Sequence, residues 1–235
     1  MSSMSLDNVL DKLHELSNPE KVLFKQQKFG IISNNAIGVY HKDLKILAKT
    51  IGTDNKLADA LFDTGIYEAR LLCSKLYHPK DITNTLIEKW VITFENWKIT
   101  DSFCMGLVAK SKFAVPKILE WTKRQEEFQK RSGFTTLASY CMADKKAENI
   151  VFENFIPIIE NTIEDDRVYV KKAVNWALRN IGKRNNDLNT IAIASAKRIA
   201  KNSSKTAQWI VKYALKELQS RNVSILDYPR AIYRP

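Results

Sequence analysis

The sequence predicts an all-α protein, a curved HEAT-like or armadillo-like solenoid of antiparallel helix pairs. Apolar residues recur at helical spacing from one end of the 235-residue chain to the other. Seven glycines and six prolines are too few for the many tight turns of a β-rich fold. Candidate helices of about 10–15 residues with brief joints recur at an apparent period of about 35–40 residues, the range of such repeats. No residue-level repeat signature accompanies the period, and a compact irregular bundle is the alternative. One helical-repeat domain is expected over 1–235.

The elements follow in order. Leu6, Val9, Leu10, Leu13 and Leu16 mark a first helix, and Val22, Leu23 and Phe24 a second that opens after Pro19-Glu20. Leu44, Ile46, Leu47 and Ile51 mark a third, which Gly52 ends. Helices are then expected over 55–62, over 66–77 with a stop at His78-Pro79, and over 81–92 with Asp81 or Thr83 as the cap. Later candidates cover 101–112, 116–130, 132–142, 145–159, 167–183, 188–201 and 204–219. Residues 29–41 are the exception. They are rich in β-branched residues and carry Asn34-Asn35 and Gly38, which fits a projecting loop or small hairpin, or an ordinary inter-helix connection.

Hydrophobic content of 45%, with five Trp, eight Tyr and ten Phe, excludes a disordered chain. The net charge is +11 and unevenly placed. Residues 1–116 carry 15 Lys/Arg against 13 Asp/Glu, residues 117–220 carry 19 against 12, and the last fifteen carry three against one. A basic surplus concentrated in the second half is the footprint of a polyanion-binding face. Cys73, Cys104 and Cys141 are widely spaced and odd in number, so buried reduced thiols are expected. His14, His41 and His78 share no ligand spacing with one another or with cysteine, so no metal and no cofactor is expected. The start, Met-Ser-Ser-Met-Ser-Leu-Asp, has no basic region followed by an apolar run, and no stretch reaches the roughly 18 apolar residues of a membrane span. A soluble, cytoplasmic monomer without a membrane partner is the expectation.

In Val168–Arg184, Val170, Ala173, Val174, Ala177, Leu178 and Ile181 fall on one side of a helix, and Lys172, Trp176, Arg179 and Lys183 on the other. A large ring among cations suits a phosphate-rich, stackable partner. Alternatively Trp176 packs under a neighbouring helix while the lysines are solvated. In Asn96-Trp-Lys-Ile-Thr-Asp101, Trp97 and Asp101 share a helical face. Asp101 could cap the apolar run 103–108, with Thr100 competing, or could stand as a carboxylate beside an aromatic wall, able to stabilise a cation. Glu68-Ala-Arg70 reads as an internal salt bridge or packing motif, and Lys197, Arg198, Lys201 and Lys205 as a solvated charge run or an extension of the phosphate-contacting surface.

Three stretches together resemble the AlkD-type, HEAT-like-repeat DNA alkylation repair family: Leu61-Phe-Asp-Thr-Gly-Ile-Tyr-Glu-Ala-Arg-Leu-Leu72, Trp90 to Asp101 with its Trp-x-x-x-Asp ending, and Val170-Lys-Lys-Ala-Val-Asn-Trp-Ala-Leu-Arg179. The resemblance runs over about 20–215. It implies that Trp97 and Asp101 match the family's groove-lining tryptophan and aspartate, Arg131 its arginine and Trp176 its second tryptophan. It further implies excision of positively charged N-alkylated purines, with Asp101 stabilising oxocarbenium character as the glycosidic bond breaks. Lys172, Arg179 and Lys183 would join Trp176 and Arg131 in contacting DNA. The sequence also departs from the family pattern. Phe128 only approximates the aromatic residue that adjoins the arginine, Lys130 precedes Arg131, and Phe94-Glu-Asn stands where a doubled tryptophan is typical. The Ile31–Tyr40 segment resembles the extended loop of a sister branch, the AlkF and AlkG type, associated with branched DNA rather than excision. Three functions therefore stand: a DNA glycosylase, a non-catalytic binder of branched or distorted DNA, and a helical-repeat protein scaffold with an acidic protein partner.

Overall fold

The structure, a computed structural model, describes residues 4–229. All its regular elements are helical. They form two compact units, one ending at Ser111 and one beginning at Lys112.

The first unit holds α1 (Leu6–Glu15), α2 (Pro19–Phe29), α3 (His41–Ile51), α4 (Asn55–Asp63), α5 (Tyr67–Leu76), α6 (Asn84–Val91) and α7 (Trp97–Gly106), then a 3₁₀ turn at Val108–Lys110. Caps set several boundaries. Ser5, Asn18, Asp54 and Thr83 each accept a backbone N–H of the first turn, and Pro19 opens α2 where its missing donor costs nothing. Thr83, not Asp81, is the cap of α6. The core is aromatic: Trp90 lies 5.0 Å from Phe103 and 5.3 Å from Tyr77 between ring centroids, and Phe62 and Phe94 close the cluster.

The second unit holds α8 (Ala114–Trp121), α9 (Glu127–Ala143), α10 (Asn149–Glu153), α11 (Ile156–Glu160), α12 (Val168–Gly182), α13 (Asn186–Ile199) and α14 (Lys205–Leu218). The expected break near 131 lies instead at 122–126, so that Arg131 is inside α9. The expected helix over 145–159 is two five-residue helices, and Pro157, which fits only a first turn, opens the second. The unit's core runs from Ile118 to Leu218 and includes all six apolar residues assigned to one face of α12, none of them solvent-exposed.

Within each unit the second helices of successive pairs run side by side in the same direction. Tyr67 bonds Asn96 and Ser74 bonds Ser102, aligning α5 with α7. Arg131 bonds the Tyr169 carbonyl and Asn180 the Ala138 carbonyl, aligning α9 with α12. Asn175 bonds the Ile210 carbonyl, aligning α12 with α14. Helices α4, α8 and α13 pack on α5, α9 and α14 across short joints. This is the helix-pair repeat expected from element lengths. Arg184 is wholly buried and belongs to the scaffold. It lies 3.9 Å over the Phe152 ring and donates to the carbonyls of Cys141, Asp144 and Ala147. Cys73, Cys104 and Cys141 are buried and unbridged, as expected. Among the described residues no helix is long and apolar enough to cross a membrane.

Candidate nucleic-acid interface

Helix α7 begins four residues before the position at which Asp101 would have capped it. The cap is Asn96, whose side-chain oxygen accepts the N–H groups of Lys98 and Ile99. Trp97 is thus the first residue of the helix and Asp101 stands one turn further along the same face, half-buried. The capping explanation of Asp101 is incorrect because the helix opens on Trp-Lys-Ile-Thr, a turn with little local signal, before its apolar run begins. The carboxylate acts electrostatically on Lys98: burial lowers the Lys98 ammonium, and the Asp101 charge partly restores it.

The segment between α2 and α3 is a loop with a turn at Asn34-Asn35, and no strand forms in it. Hydrogen bonds tie this loop, and the residue before it, to the rest of the first unit. Trp97 donates its indole N–H to the Phe29 carbonyl at 2.9 Å, and Asn96 donates to the Ile32 carbonyl at 3.0 Å. Tyr67 N–H bonds the Asn35 carbonyl, and Asn18 N–H the Ile37 carbonyl. The buried Glu68 carboxylate accepts the N–H groups of Ile37 and Gly38, each at 2.9 Å, and lies 3.7 Å from Lys25. Gly38 has φ +89°, and a Cβ there would stand 1.9 Å from the Asn18 carbonyl oxygen, so only glycine fits. Glu68 and Arg70 are structural, as expected, but do not pair with each other. Arg70 donates instead to Glu95 and Thr93.

Beside this loop the first unit gathers a cluster of charge that no sequence pattern announces. His41, the first residue of α3, is pushed down to about 4, first by burial and then by the charges of Lys98, Lys75, Lys45 and Lys25. Those lysines come from α7, α5, α3 and α2. Burial together with the neighbouring lysines also lowers Lys75. His41 Nδ1 is buried without a hydrogen-bond partner. An anion beside this cluster would relieve like-charge repulsion at every one of these groups.

In the second unit Lys172 is exposed and Trp176 half-buried, one side of it packed on the core. The packing reading of this tryptophan is met in part, since the ring rests on the core but is not fully covered. Arg179 and Lys183 converge on Glu217: Arg179 bonds one carboxylate oxygen and Lys183 the other at 2.7 Å. Burial works to raise the Glu217 carboxyl, but hydrogen bonds from Lys183 and Arg179 outweigh it and hold it below the ordinary range. Arg131 is 6% exposed and donates to the Tyr169 carbonyl at 2.7 Å. Lys130 and Arg167 share Asp165. Burial works to raise that carboxyl, but the bonds from Arg167 and Lys130 hold it at about 2. Arg198 pairs with Glu160. Several basic residues of this half are therefore paired internally, and the surplus falls on the others.

Helix α14 supplies aromatic residues beyond those expected. Trp209 and Tyr213 lie 4.8 Å apart, with Lys171 5.8 Å over the Trp209 ring. With Asn175, Arg179, Lys216 and Glu217 they line an open cleft of about 460 Å³. The helical period of α14 places Trp209 and Tyr213 four apart on one face, a signal present in the sequence. Trp97 and Asp101 thus lie in the first unit. Arg131, Lys172, Trp176, Arg179 and Lys183 lie in the second.

No curated protein matches the chain. A solved structure described as "a new family of proteins related to the HEAT-like repeat DNA glycosylases with affinity for branched DNA structures" aligns with a TM-score of 0.74 at 18% identity, covering 96% of this chain and 99% of that one. A designed armadillo repeat protein aligns with a TM-score of 0.35 at 12% identity, covering 75% of this chain and 92% of that one. The family model described as DNA alkylation repair enzyme matches residues 9–218. The chain belongs to the DNA alkylation repair enzyme family.

Proposed function

We propose that this protein binds branched or distorted DNA, reading its shape with the 30–40 loop and holding its phosphates with lysines of the first unit. The observation that carries this reading is the use of Trp97: its indole N–H is spent on the Phe29 carbonyl, so the residue anchors the loop. A loop fixed by buried Glu68 and by Asn96 keeps a defined shape, and its tip at Ile32, Asn34 and Asn35 is exposed. Lys25, Lys45, Lys75 and Lys98 beside it supply the sequence-independent attraction on which phosphate binding rests. Branched DNA presents helical arms at angles that a straight duplex lacks, and a rigid element beside a cationic site discriminates between the two. The description of the similar structure agrees with this reading. The second unit, taken by itself, would contact phosphates through Lys172 and Trp176, with Arg131 positioning α12 against α9. Binding of a four-way junction and a sequence-matched duplex at one salt concentration tests the proposal. Tighter binding of the junction is expected, and equal affinity contradicts it.

Excision of cationic N-alkylated purines is the second reading. It rests on Asp101, which keeps its place one turn after Trp97 and is half-buried. Lys98, whose charge interacts with Asp101, works against it, because it destabilises the positive charge that the carboxylate would have to support. Release of free 7-methylguanine or 3-methyladenine from methylated DNA, lost in Asp101→Asn, would establish excision. No release at high protein concentration would exclude it.

A further inference from the structure

Helix α2 buries none of its residues, although it carries Val22, Leu23, Phe24 and Phe29. Phe24 is 44% exposed, Phe29 46% and Tyr40, the last residue of the loop, 41%. Solvated apolar residues scattered singly need no explanation, but these three are joined into one patch by cations. Lys21 lies 5.6 Å from the Phe24 centroid and 5.4 Å from that of Tyr40. Lys28 lies 5.1 Å from Phe24 and 5.8 Å from Phe29, and Lys42 lies 5.8 Å from Tyr40. Phe24 and Phe29 meet edge to face at 5.9 Å.

We infer that this α2 face is a stacking platform for unpaired bases, and that it holds a single-stranded DNA arm leaving a branch point. The inference rests on the branched-DNA reading above and adds to it a site and a strand class. Charge complementarity identifies the occupant. Three lysines interleaved with three rings match a strand that alternates phosphates with π-faces. A closed duplex hides its base faces inside the stack and would gain nothing from the rings. An acidic protein surface would use the lysines and leave the rings wet. The platform adjoins the loop directly, because the Phe29 carbonyl is the acceptor of the Trp97 indole N–H.

The test uses the full chain, fluorescence anisotropy at one salt concentration, and two probes: a junction with every base paired, and the same junction with an oligothymidine arm. Wild type should bind the armed probe more tightly. Replacing Phe24, Phe29 and Tyr40 together by alanine should remove that advantage, measured against the closed junction bound by the same variant, by about tenfold for each ring engaged. No ring is buried, so the melting temperature of this variant should stay close to wild type, and Phe24→Trp should keep the advantage. If wild type binds the closed junction but gains nothing from the arm, or if the folded triple variant keeps the gain, the platform is overturned and the branched-DNA reading stands. If wild type binds neither probe, both fail. If the triple variant loses only co-sedimentation with phosphatidylserine vesicles, the face docks on membranes and the inference is wrong.

Discussion

Trp97 donates its indole N–H to the carbonyl oxygen of Phe29, a residue 68 positions earlier, at 2.9 Å. That bond joins the first residue of α7 to the last residue of α2, and it fixes one end of the 30–40 loop. Trp97→Phe keeps the ring and removes the donor. A net loss of about 1 kcal/mol is expected, since the exposed carbonyl can turn to water. Hydrogen exchange should accelerate across residues 30–40 while the α5 amides keep their protection.

Glu68 is a more severe case. Its buried carboxylate serves two loop amides and faces Lys25, so Glu68→Ala strands two donors and removes the countercharge of a lysine that stays bonded to the Val39 carbonyl. The expected cost is about 3 kcal/mol, read as a urea midpoint shift at constant slope. Gly38→Ala should cost at least as much through its clash with the Asn18 carbonyl.

Helix α12 shows what is legible in the sequence. Its bounds and buried face are both readable, because six apolar residues at helical spacing report burial directly. The start of α7 is not readable: Asn96 caps it, yet the local pattern draws attention to Asp101. Nor are the lysines around His41, which stand at positions 25, 45, 75 and 98 with no period in the chain. Only the packing of α3 and α7 on α5 brings the last three to neighbouring places. Glu217 is hidden for the same reason, since it meets Arg179 and Lys183 across two helices.

The His41 environment makes stability depend on pH in a stated window. The folded chain holds this imidazole at about 4, against 6.5 in the unfolded chain. Between those values the unfolded state binds more protons, so the stabilisation is fully present above pH 6.5 and falls as the pH drops toward 4. Wild-type urea midpoints should decline across that window, and those of His41→Gln should decline less.

Salt dependence reports how many phosphates the lysines neutralise. Removing Lys45, Lys75 or Lys98 singly as Gln should flatten the slope of log affinity against log salt by about one unit for each lysine that holds a phosphate. Glu217→Gln should act in the opposite sense, because it releases Arg179 and Lys183 from their shared carboxylate. A steeper slope and tighter duplex binding are expected from that variant.

Replacing residues 32–36 by a short Gly-Ser linker, and measuring junction and duplex affinity beside wild type at one salt concentration, tests the loop as the reader of DNA shape. Wild type should prefer the junction. The variant, still folded by its melting curve, should bind both DNAs with the wild-type duplex affinity. A folded variant that keeps the full junction preference would contradict the loop's role.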